Sequence, residues 1–326
     1  MNVDAAVTNE RSRLPWWMQL AVPVASLVTF GTHLLIAQNA PSLETHSYLL
    51  LFWEIVGVSV VLSIAQLFWP ALRKWMRHMW PIFTAAILLL GVWDMVTVGL
   101  HLLPLPYFPG PAAVLRSLIS DRGLLLDSTW HSLVLLLSGY TLGVVAGLIS
   151  GICIGWSSEI RYWGMPILKV VGPIPATAWI PLAMVLSPSA IVSSAALIAL
   201  AVWFPVTMLT SSGISNTRAS YLDVARTLGA GRAYLILRVA IPAAVPNIFI
   251  GLFMGLGASF LTLVVAESVG VKSGLGWYVS WAQGWAEYGK VFAALIIMAA
   301  FFSTIMTLLF KVRDRVLVWQ KGIIKW

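Results

Sequence analysis

Side chains able to do covalent or acid–base chemistry are few in this 326-residue chain, and they do not converge. The five histidines, His33, His46, His78, His101 and His131, are scattered without the spacing of a metal site. The single cysteine, Cys153, sits in an apolar run, so neither a disulfide framework nor a thiolate cluster is expected. No G-x-x-x-x-G-K-[ST] phosphate loop is present, since the lone Lys272-Ser273 pair follows Val271. No H-E-x-x-H or G-x-S-x-G element appears either, which leaves a membrane protease or hydrolase without support. What remains is a set of charges inside apolar sequence: Glu54, Asp94, Lys169 and Glu267. Burying such groups in hydrocarbon costs several kcal/mol unless they are paired or hydrated. Glu54 and Asp94 are open to two readings, a proton relay or hydrogen-bonded structural contacts. Glu267 stands beside a glycine-broken aromatic segment, where it either faces a gate or caps interrupted backbone.

The more telling pattern is mechanical. Tyr221 to Asn247, YLDVARTLGAGRAYLILRVAIPAAVPN, is a long polar and basic interruption of apolar sequence. Asp223, Ala225 and Arg226 precede Gly229 and Ala230, and Pro242 follows, so the stretch reads as helix, glycine turn, helix. Such a loop is suited to being gripped by a soluble partner. A second pattern is ILKVVGPIPATAWIPLAMVLSP, where Gly172, Pro173, Pro175 and Pro181 interrupt an apolar run. Backbone broken this often cannot face lipid, and must be surrounded by protein or line a wet cavity. Pro173, Pro175, Ala176, Trp179 and Pro181, with Glu267, are therefore the candidate pathway lining; the alternative is a kink at a subunit contact.

The elements that must carry these patterns follow from composition. Sixty per cent hydrophobic residues, ten per cent charged residues and a mean hydropathy of +0.89 place the chain in the bilayer. The net charge of +8 points to topology rather than to nucleic acid. The expected fold is an all-α integral membrane protein with about eight transmembrane helices, over residues 15–37, 48–69, 80–102, 129–156, 167–186, 190–212, 242–269 and 291–310. Basic residues gather in alternate loops: Arg11 and Arg13; Arg73, Lys74 and Arg77; Arg161; Arg218, Arg226, Arg232 and Arg238; and Lys311, Arg313, Arg315, Lys321 and Lys325. The positive-inside rule then puts both termini and the Tyr221 loop in the cytoplasm. Val114, Leu115, Leu118 and Ile119 in the outer segment 104–130 are spaced for an amphipathic surface helix. Gly139, Gly143, Gly147, Gly151 and Gly155 recur every fourth residue, a groove for close helix packing or for sliding. The aromatic segment 269–290, with Trp277, Tyr278, Trp281, Trp285 and Tyr288, is either a docking face or an interfacial anchor.

Asp223, Val224, Ala225, then Gly229, then Val239, Ala240, Ile241 and Pro242 match the spacing of the E-A-A, three residues, G, nine residues, I-x-L-P signature. In this respect the chain resembles the permease subunits of ATP-binding cassette importers. PIPATAWIPLAMV, VVAES and FPGPAAVLRSL extend the similarity to the nitrate, sulfonate and taurine branch of the binding-protein-dependent permeases. Gly172 stands where that branch often has a basic residue. The resemblance implies a six-helix core over residues 78–326, with a coupling loop at 213–246, preceded by a two-helix addition over 1–77. It also implies a non-catalytic permease for a small anion, working as a homodimer in a bacterial inner membrane. Two cytoplasmic ATPase subunits would carry the ATP and Mg, leaving no cofactor on this chain, and an extracytoplasmic solute-binding protein would deliver the solute. An ion-coupled secondary transporter using Glu54, Asp94 and Glu267, or a permease of the same family for another small organic solute, are the competing readings.

Overall fold

The computed structural model describes residues 21–39 and 46–320. The start of the first expected span, with Arg11, Arg13, Trp16 and Trp17, and the tail bearing Lys321, Lys325 and Trp326 lie outside the described residues. Regular structure among the described residues is helical throughout: α1 (Ala21–Asn39), α2 (His46–Phe68), α3 (Pro70–Asp94), α4 (Pro111–Ser120), α5 (Arg122–Trp156), α6 (Ser158–Val171), α7 (Ile180–Leu186), α8 (Ala190–Ser215), α9 (Ala219–Thr227), α10 (Arg232–Tyr234), α11 (Ile241–Val269), α12 (Leu275–Gly284) and α13 (Tyr288–Val316). The chain divides into two compact units, residues 1–122 with 285–293, and residues 123–284 with 294–326. The first unit takes in α3 and α4 along with the described parts of the two expected added spans.

In the first unit Pro70 opens α3 at the position where a missing N–H costs nothing. Thr29 of α1 lies against Gly91 and donates to the Ile87 carbonyl at 3.4 Å, while Ile36 lies against Gly99. Both sets of numbers rise together, so α1 and α3 run parallel, with α2 as the return. Between them His33 Nδ1 meets Asp94 Oδ2 at 2.6 Å, with both side chains buried. Asp94 is thereby hydrogen-bonded inside the unit, whereas Glu54 lies exposed on α2. Tyr48, Phe52, Met76, Trp80 and Ala112 close the core around the pair. The expected surface helix is α4, but it buries Ala112 and Val114 and leaves Ile119 outward.

The second unit is built on the glycine stripe. Gly139, Gly143, Gly147, Gly151 and Gly155 meet Ile198, Val202, Val206, Thr210 and Ile214, and an added Cβ would lie 2.6–2.7 Å from each partner Cβ. Only glycine permits this approach, which maximises dispersion contact where lipid offers no hydrophobic drive. Both series rise by four, so α5 and α8 are parallel over their shared length. Gly213 against Ala244, Gly251 against Val206 and Gly255 against Val202 make α11 antiparallel to α8. Phe253–Phe310 and Phe260–Phe302, with centroids 4.3 and 4.5 Å apart, make α13 antiparallel to α11.

That parallel pair decides what α6 and α7 do. Consecutive long helices can be parallel only if the connection between them carries the chain back. Helices α6 and α7, joined through a 3₁₀ turn at Ala176–Trp179 and bent by 84°, make that return crossing. The expected simple span over 167–186 is thus corrected. An N-terminal arm, capped by Ser157 and begun well before residue 167, precedes the break. Arg161 is not a free loop charge. Its guanidinium donates to the Ile154 and Gly155 carbonyls at 3.1 and 2.5 Å and to Ser215 Oγ at 2.7 Å, tying the ends of α5 and α8 together. Among the described residues, six helices are long and apolar enough to cross a bilayer, and the bent pair makes seven if it counts as one span. The described part of the remaining expected span is the short apolar helix Ala21–Ile36.

Candidate functional site

Three places in the second unit carry the residues singled out above. The first is the loop between α8 and α11. Helix α9 ends in a Schellman motif, in which the Gly229 N–H donates to the Arg226 carbonyl at 2.9 Å and the Ala230 N–H to the Ala225 carbonyl at 3.0 Å. Gly229 has φ +83°, a conformation that a Cβ would strain. After α10 the backbone widens into a π turn, Leu235–Ala240, ahead of Pro242, so the Ile241 N–H reaches back to the Ile236 carbonyl. The proline thus sits in a continued helical path instead of opening a separate helix.

This fold of the loop makes a cleft of about 530 Å³ lined in part by Tyr221, Val224, Ala225, Leu228, Gly229 and Tyr234. Ala225, Gly229 and Ala230 line it, whereas Asp223, Arg226 and Pro242 do not. Asp223 instead pairs with Arg226 at 3.1 Å on the exposed face of α9. Sequence reading missed Leu228, which is 82% exposed, and its exposed neighbours Val224 and Tyr234. The available signal was apolar residues on both sides of a glycine turn in an otherwise basic loop.

The second place is the break between α6 and α7. A cavity of about 340 Å³ opens there, with Pro175, Ala176 and Thr177 on one side and Phe204, Met254 and Thr262 facing them from α8 and α11. Of the residues expected to line a path, Pro175 and Ala176 border this cavity, and Pro173, Trp179, Pro181 and Glu267 are not on its wall. A Cβ at Gly172 would fall on the Phe204 ring, so any side chain here has to displace that ring. No charged side chain is among the lining residues.

The third place is the corner where α11 turns into α12. Glu267 is 1% exposed, with one carboxylate oxygen accepting from Ser132 Oγ at 2.7 Å and the other from the Gly276 N–H at 2.8 Å. Ser132 Oγ accepts in turn from the Leu275 N–H at 2.9 Å. An acid and a hydroxyl therefore cap the first turn of α12 and fasten it to α5. Gly274, at φ +102°, presses on the carboxylate where a side chain would collide. The aromatic segment beside it is partly core, since Tyr278 is fully buried and Trp277 stacks on Trp281 with centroids 6.2 Å apart.

Comparison with known proteins fits this arrangement. A family described as the inner membrane component of binding-protein-dependent transport systems matches residues 143–317, a range that includes the loop, the break and the corner's Glu267. The taurine transport system permease protein TauC of Escherichia coli (strain K12) is 32% identical over 238 residues, covering 71% of this chain and 85% of that protein. The nitrate import permease protein NrtB of Synechocystis sp. (strain ATCC 27184 / PCC 6803 / Kazusa) is 31% identical over 191 residues, 58% of this chain and 67% of that one. A chain of the MetNI methionine ABC transporter in an inward-facing conformation shares the fold with a TM-score of 0.53 at 15% identity, over 60% of this chain and 98% of its own. With its signature loop, helical bundle and family match in agreement, the chain belongs to the binding-protein-dependent transport system inner membrane components, the permeases of ATP-binding cassette importers.

Proposed function

We propose that the chain works as a homodimer and that two cytoplasmic ATPase subunits seat on the two α9–α10 loops. An extracytoplasmic binding protein would hand over a small anion of the sulfonate, taurine or nitrate kind, the class that the names of the relatives suggest. The observation that carries this reading is the Schellman-turned cleft with its exposed Leu228 and Val224. Apolar side chains held outward in an Arg-rich loop are matched by a complementary groove on a partner. The loop, the C-terminal ends of α5 and α8 and the end of α13 then face the cytoplasm, in line with the positive-inside rule. ATP and Mg belong to the partner, and this chain contributes no catalytic group.

In this reading the broken segment α6–α7 borders the conduit, with Pro175, Ala176 and Phe204 toward the dimer axis. Interrupted backbone needs water or protein beside it, and a path between two copies supplies both. The uncharged wall suits passage of an anion better than its retention, so selection falls to the binding protein. Glu267 acts at a distance, as the residue that fixes the α11–α12 corner. The test is reconstitution in vesicles with a cognate ATPase and binding protein. Hydrolysis stimulated by the liganded binding protein, and uptake that requires ATP, are expected. Uptake driven by an ion gradient without the ATPase would establish the secondary-transporter reading instead.

A further inference from the structure

We propose that the loop-side end of α13 holds an anionic phospholipid of the adjoining leaflet, independently of which solute is transported. Apart from Lys290 in its first turn, helix α13 carries its basic residues at the end of a long apolar run, in Lys311, Arg313 and Arg315. Arg313 is already engaged. It bonds Asp314 at 2.8 Å and lies over the Phe253 and Phe310 rings at 5.7 and 4.8 Å. Asp314 is neutralised by the same contact. Lys311 and Arg315, one helical turn apart, make no ion pair among the described residues and share a face. Between them lies a cleft of about 530 Å³ lined by Leu308, Lys311, Val312, Asp314, Arg315 and Val318.

The cleft is amphiphilic along the helix axis. Leu308 and Val312, both more than half exposed, belong to the apolar run, while the two cations stand at its edge. Trp319, also exposed, follows at the depth where an indole ring favours the interface. A phosphate diester between Lys311 and Arg315, with acyl chains along Leu308, satisfies both halves. A soluble protein would leave the apolar half uncovered, and free phosphate would ignore it. The engaged Arg313 also makes the site consequential. It joins the end of α13 to Phe253 of α11, the helix that runs from the coupling loop past the cavity.

The test uses the permease purified with its ATPase in mild detergent and titrated with phosphatidylglycerol or phosphatidylcholine, reading retained lipid by native mass spectrometry. The wild type is expected to retain phosphatidylglycerol preferentially. Lys311→Gln with Arg315→Gln should weaken that retention roughly thirty-fold, at about a factor of five per basic residue. The charge-preserving pair Lys311→Arg with Arg315→Lys should keep it, which guards against misfolding. Equal retention of both lipids by the wild type, or an unchanged preference in the Gln pair, would overturn the proposal. So would displacement of the lipid by millimolar inorganic phosphate. Loss of the ATPase from the Gln pair with lipid preference intact would assign the cleft to the protein partner.

Discussion

Truncating Leu228 to alanine isolates the docking energy of the coupling loop from its folding. The side chain is 82% exposed in the free permease, so its removal should change stability by no more than about 0.5 kcal/mol. If the ATPase groove buries it, the substitution removes three carbon groups from the interface at about 0.8 kcal/mol each. The expected loss is therefore about 2 kcal/mol, a roughly thirty-fold weaker Kd. Val224→Ala, one turn earlier on the same face, should cost about 1.5 kcal/mol, and the double variant slightly less than the sum because the two are neighbours. Asp223→Asn should cost under about 1 kcal/mol, since its partner Arg226 and the carboxylate are both solvent-exposed. The assay is titration of detergent-solubilised permease with the isolated ATPase by fluorescence anisotropy, beside a thermal melt of each variant alone. Wild-type affinity in Leu228→Ala together with complete loss in Asp223→Asn would refute the reasoning, because recognition would then be ionic and the cleft not the seat.

Gly147→Val places branched atoms where Val206 already sits 2.7 Å from an added Cβ, and should reduce assembled protein in size-exclusion profiles. Gly172→Ala should impair ATP-driven uptake by displacing the Phe204 ring, and Phe204→Leu in the same chain should restore it; failure of that rescue would separate the two residues. Glu267→Ala leaves the Ser132 hydroxyl and the Gly276 N–H without their acceptor, and should lower thermal stability by about 2–4 kcal/mol. Glu267→Gln, which keeps one acceptor oxygen, should fall between the wild type and the alanine variant in the same melt.

The loop was legible because its information is local. A glycine that must turn left-handed and apolar residues flanking it can be seen in a single line of sequence, and so can prolines that interrupt an apolar run. The every-fourth glycines announced a close helix contact, but not that α8 would be the partner or that the two would run parallel. That depends on the return through α6 and α7, whose starting point hydropathy placed too late. Arg161 looked like an ordinary loop charge because its carbonyl partners become available only when the ends of α5 and α8 meet. His33 and Asp94 were read separately, being far apart in the chain and joined only by the parallel packing of α1 and α3. Glu267 was legible as an acid beside interrupted backbone, and its contacts are those of the capping reading, but its partners, the Ser132 hydroxyl and the Gly276 N–H, are joined to it only by the fold.

From Arg232 to Val269 the backbone follows one helical path of 38 residues, about 57 Å long. One end of this strut carries the cleft, its middle walls the cavity through Met254 and Thr262, and its far end is bolted by Glu267. A stiff strut delivers a displacement with little loss over its length, so movement of the cleft is felt at the bolt. The compliant joint is the π turn Leu235–Ala240, where the hydrogen-bond ladder already runs one residue out of step. Moving that extra residue along the ladder would shift the residues it passes by about 1.5 Å without melting the helix on either side. The joint lies next to the cleft, so slack is taken up at the driven end and the remainder of the strut travels as a single piece.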